Sequence, residues 1–74
     1  NAFMGFFEEA IGTLQIIVVA LGAGIAAWGI INLLEGYGSD NPGAKSQGVK
    51  QLMSGGGVVI VGTVLIPLLK TLFS

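Results

Sequence analysis

The sequence predicts an all-α fold, two apolar helices turned back on one another as a transmembrane hairpin. The first observation behind this is composition: 53% of the 74 residues are hydrophobic and only 9% are charged, against about 25% charged in an ordinary soluble domain. The second is segmentation. Residues 10–34 and 51–69 carry no charge, and the stretch between them holds Glu35, Asp40, Lys45 and Lys50. Crossing a hydrocarbon layer of about 30 Å takes roughly 20 apolar residues as a helix, which the first stretch exceeds and the second just reaches. The third is a matter of backbone chemistry: in lipid every amide must be paired internally, so only helices or closed barrels are viable, and two segments cannot close a barrel. Val, Ile and Gly weaken helices in water, but this constraint overrides that preference.

The elements follow in order within one domain, residues 1–74. Residues 1–9 form an aromatic flank with Phe3, Phe6 and Phe7 ahead of the acidic pair Glu8 and Glu9. The first helix is expected over residues 10–34 and a connection over residues 35–43. There Gly36 and Gly38 are expected to end the first helix, and Ser39-Asp40-Asn41-Pro42 supplies turn chemistry. Asn41 followed by Pro42 also fits an N-cap with proline at the first helical position. The second helix is expected over residues 44–73, with its first turn reaching back to Pro42 on the capping argument. Three readings stand for Gly55-Gly56-Gly57: a kink, a place where another backbone comes close, and a straight glycine-tolerant helix. Pro67 lies near the end of the second span, where a mild kink is tolerated. Lys45 and Lys50 near the connection outnumber Lys70 at the other end, which predicts a cytoplasmic connection. Asn1 in place of an initiating Met predicts a processed chain that has lost an upstream segment.

Glycine spacing is the most informative pattern. Gly22, Gly29 and Gly36 recur every seven residues, as do Gly48, Gly55 and Gly62. A seven-residue period keeps its members on one helix face. Ala20 with Gly24, and Gly22 with Ala26, add small pairs four apart. In lipid, helices associate through close backbone approach across such faces. The stripes therefore predict packing of one helix on the other, and the surplus of small residues predicts packing between neighbouring copies.

Composition excludes several function classes. The chain has no His and no Cys, so thiolate metal sites, redox pairs and imidazole catalysis are out of reach. Adjacent Glu8 and Glu9 point about 100° apart on a helix and read as a solvated flank; Glu35 and Asp40 read as loop charges. Gly22-Ala23-Gly24 has no preceding strand and no following Lys-Ser/Thr, so it is not a phosphate loop. A net charge of −1 generates no field able to gather nucleic acid. No catalytic residue, metal ligand or catalytic cofactor is expected, and the chain reads as non-enzymatic. Lys45 and Lys50 are left as candidates for lipid phosphates or a passing nucleic acid, at about 1 kcal/mol each beside an anionic surface. Lys70 is expected to snorkel, Tyr37 to sit in an interfacial belt, and Trp28 to face lipid or a neighbouring helix.

Two family resemblances bear on function. The hairpin and the run Gly22-Ala23-Gly24-Ile25-Ala26-Ala27 look like the ring-forming c subunit of rotary ATP synthases. That family carries a carboxylate mid-span, and neither span here has one, which removes that reading. The stretch from Trp28 to Gly38, continued by Asp40-Asn41-Pro42-Gly43-Ala44-Lys45-Ser46-Gln47-Gly48 and by Lys50 to Gly57, resembles the Maff-type small mobile-element proteins of Gram-positive bacteria. Their architecture is similar to that of pilins of conjugative type IV secretion systems. The resemblance implies a hairpin extracted from the cell membrane into an extracellular helical filament with bound phospholipid. It also implies Lys45 and Lys50 beside lipid head groups at the lumen, and subunit packing through Gly22, Gly24, Gly29, Gly36, Gly48, Gly55 and Gly62. The implied partners are many copies of the chain, structural phospholipid, the conjugative secretion machinery and, transiently, transported DNA. The expected function is that of a pilus subunit. The alternatives are a pore-forming protein of holin or bacteriocin type and a small scaffold subunit of a membrane complex.

Overall fold

The structure is a computed structural model and describes residues 2–72. It is a helical hairpin 58 Å long with a cross-section of 15 × 11 Å. Helix α1 runs from Ala2 to Gly38, well past both ends of the uncharged stretch. Glu8 and Glu9 do not delay its start, because a helix outside lipid accepts charge on its solvated faces. Rings of Phe3 and Phe7 stack one turn apart, with centroids 6.3 Å from each other. The second arm begins with α2, Pro42–Ile60, passes through a π-helical turn at Val61–Leu65 and ends in α3, Ile66–Leu72. The expected end of this arm at Phe73 lies outside the described residues.

The turn corrects the expectation for Gly36, which lies inside α1, whereas the helix does end at Gly38; no described glycine has a positive φ. The reversal is made by Asp40, at φ 53°, a left-handed conformation that Asp tolerates because its short polar side chain bonds locally. The amide of Ser39 donates to Glu35 O at 2.9 Å and that of Asn41 to Gly36 O at 2.8 Å. The second bond spans five residues and closes the helix end in the manner of a Schellman motif. Asn41 then caps α2, its Oδ1 accepting from the amides of Gly43 (3.0 Å) and Ala44 (3.3 Å), with Pro42 opening the helix. The connection thus shrinks from the expected nine residues, 35–43, to Ser39, Asp40 and Asn41.

Gly55-Gly56-Gly57 lies inside α2 without interrupting it, so the straight reading holds there. The irregularity comes later, ahead of Pro67. Proline has no amide to donate and its ring crowds the carbonyl four residues earlier. A π turn relieves this by widening the ladder, with the amide of Ile66 donating to Val61 O.

Candidate functional site

Each heptad glycine lies in the seam between the two arms, and all six are buried. A Cβ on Gly22 would stand 2.7 Å from Val59 N and 2.8 Å from Gly55 O, and one on Gly29 would stand 2.6 Å from Leu52 N and 2.8 Å from Gly48 O. Gly48 faces Gly29 O and Leu33 N, both 2.7 Å from its added Cβ, and Gly55 faces Ala26 N and Gly22 O. The neighbours at these four positions include backbone atoms of the opposite helix, so the glycines are there for size: any side chain would hold the helices apart. Gly36 abuts Lys45 and Asn41, and Gly62 abuts Val19 and Val18. Gly24 differs from the other six: nothing lies within 4 Å of its added Cβ. It turns to the opposite side of α1 with Ala20 and Ala27, all three exposed, so it takes no part in the contact within the hairpin.

The only large apolar side chains buried among the described residues are Ile11 and Ile66. Ile16, Leu21, Trp28, Ile31, Leu34, Met53, Ile60, Val64 and Leu68 all stand outward. A core helix of a soluble protein is mostly buried. In the most apolar windows of Ala2–Gly38 and Pro42–Leu72, both long and apolar enough to cross a membrane, only 11% and 17% of the residues are buried.

Several hydroxyls are paired within their own arm. Those of Thr13, Ser39, Ser54, Thr63 and Thr71 each donate to the carbonyl four residues back, at 2.7 to 3.2 Å, so these donors need no partner from lipid. A side-chain hydrogen bond crosses the seam, where Asn32 Nδ2 donates to Gln51 Oε1 at 2.5 Å. Neither residue stands out in the sequence as a site. The available signal was weak: the uncharged first stretch holds two amides, Gln15 and Asn32, and the second opens on Gln51. Interhelical bonds of this kind contribute about 0.6–2 kcal/mol and fix register.

Lys45 and Lys50 are separated by their surroundings. Lys45 packs its stem over Gly36, lies 3.2 Å from Asp40 Oδ1, and places its ammonium 4.8 Å from the centre of the Tyr37 ring. With Asp40 at 95% exposed, the ion pair contributes about 0–1 kcal/mol; its effect is to close the corner of the hairpin. Lys50 is exposed and has no ion-pair partner among the described residues. Glu9 borders a shallow open depression with Phe6, Ala10 and Thr13. No three His, Cys, Asp or Glu side chains gather where a metal could bind, among the described residues.

These features define a class: an apolar two-helix hairpin of membrane-protein type, closed by a glycine seam and open over most of its surface. Within that class, residues 4–73 match the Maff2 family, nearly the whole chain, and the protein belongs to that family. No curated protein and no solved structure matches the chain.

Proposed function

We propose that this protein is a structural, non-enzymatic pilin-type subunit. It would reside in the cell membrane as a lipid-covered hairpin and polymerise with phospholipid into a tube of a conjugative type IV secretion system, associated with a mobile element. The observation that carries the reading is the two-sidedness of α1. Its Gly22, Gly29 and Gly36 face is consumed within the hairpin, while Ala20, Gly24 and Ala27 form a second small-residue face that the hairpin leaves empty. Small faces in lipid admit another helix closely, and the adjoining Ile and Leu side chains are left for neighbouring copies and acyl chains to cover. Lys50, without an ion-pair partner among the described residues, is the cation available to a lipid phosphate; Lys45 is partly engaged by Asp40. Membership of the Maff2 family and the resemblance of its central motif to mobile-element proteins support the same reading.

The test is electron microscopy of material sheared from cells that express the chain together with the secretion machinery, with lipid extraction of the same sample. Thin regular tubes containing the chain and phospholipid are expected. Retention of all the chain in the membrane fraction, with no tubes, overturns the pilin reading, and leakage of liposomes by the purified chain would favour a pore.

A further inference from the structure

The seam fixes which residues of the two arms share a depth. Gly29 lies between Gly48 and Leu52, so Lys50 stands level with Gly29 and within one residue of Trp28. Gly62 lies against Val18 and Val19, so Lys70, two turns further on, stands within about a turn of Glu9. From the Glu9 level to the Trp28 and Lys50 level is about 20 residues, roughly 30 Å at 1.5 Å per residue, which is the thickness of the hydrocarbon layer. The uncharged stretch of α1, by contrast, runs on to Leu34, about 37 Å on the same rise. The whole rod, 58 Å long, exceeds even the roughly 40–45 Å of a bilayer with its head groups.

We infer that the hydrocarbon layer ends at Trp28 and Lys50, not at Leu34. The loop half of the hairpin, residues 30–49, then stands as an arm in the head-group layer and the water beyond it. This inference rests on the membrane reading alone and not on the pilin reading. Trp28, 55% exposed, takes the interfacial depth that indole prefers, and Lys50 meets lipid phosphate at the same level. The polar first half of α2, with Ser46, Gln47, Lys50 and Gln51, leaves the hydrocarbon, as does the Asn32–Gln51 bond. Lys45, Asp40 and Tyr37 become the tip of the arm. Ile31 and Leu34, both exposed, lie outside the acyl layer despite belonging to an uncharged run.

Trp28 is the only tryptophan, so its own fluorescence reads the depth. The chain is reconstituted in phosphatidylcholine–phosphatidylglycerol liposomes whose acyl chains are brominated near the head group or near the methyl end. Greater loss of Trp28 emission with the shallow label is expected. Lys50→Leu should move the maximal loss to the deep label, because removing the charge lets the apolar run slide inward; Lys45→Leu should not. A Trp28→Phe, Leu34→Trp chain should be quenched by aqueous iodide. Liposome flotation with strongest quenching of Trp28 by the deep label overturns the placement while leaving the membrane reading intact. Failure to float with the liposomes overturns both.

Discussion

Gly55, Gly56 and Gly57 are chemically identical neighbours with different duties. Gly55 is pressed against the backbone of Ala26 and Gly22, while Gly56 and Gly57 have open space where a Cβ would go. Gly55→Ala should therefore destabilise the hairpin by about 1–3 kcal/mol, the usual cost of overpacking a tight contact. Gly57→Ala should be neutral or stabilise it by up to about 1 kcal/mol, because alanine is the better helix former. Unfolding of the two variants in mild detergent, followed by distance between labels on the arms, separates these outcomes. The seven-residue period of Gly22, Gly29, Gly36, Gly48, Gly55 and Gly62 was written in the sequence, and so was the face it makes. The role of Gly24 was not: in Gly22-Ala23-Gly24 two glycines look alike, and only the phase of the helix sends one inward and the other outward. Lys45 and Lys50 were likewise indistinguishable until the turn placed Asp40 and Tyr37 beside the first of them.

At the scale of elements, the hairpin and its capped second helix were legible because lipid demands helices and because Asn41-Pro42 fits an N-cap followed by proline. The helix ends were not. Loss of charge marks where a helix can enter hydrocarbon, and α1 continues beyond that limit in both directions, over Glu8, Glu9 and Glu35. The π turn at Val61–Leu65 was foreshadowed only as a disturbance near Pro67, since proline dictates that the ladder must adjust but not where. The N-cap is the element most open to direct measurement. Asn41→Ala removes the acceptor of the Gly43 and Ala44 amides and should cost about 1 kcal/mol of hairpin stability. Faster amide hydrogen exchange confined to the first turn of α2 should accompany it. Unchanged exchange at Gly43 and Ala44 would show that the side chain does not hold that end.

The whole molecule is almost all surface. One seam, with two large buried apolar side chains, Ile11 and Ile66, cannot hold a chain of this length together in water. The large outward side chains must be covered by lipid, by other copies, or by both. What α1 offers on its two sides decides how: its inner face closes the hairpin, and its outer face of Ala20, Gly24 and Ala27 is proposed to receive a neighbouring copy. The most direct test of this division of labour is the assembly of Gly24→Leu, scored by sheared filament yield in the electron microscope alongside membrane insertion of the same variant. Normal insertion, an intact hairpin and a loss of filaments are expected from this division, because a Cβ on Gly24 would meet nothing within 4 Å in its own chain. Wild-type filament yield from Gly24→Leu would contradict it.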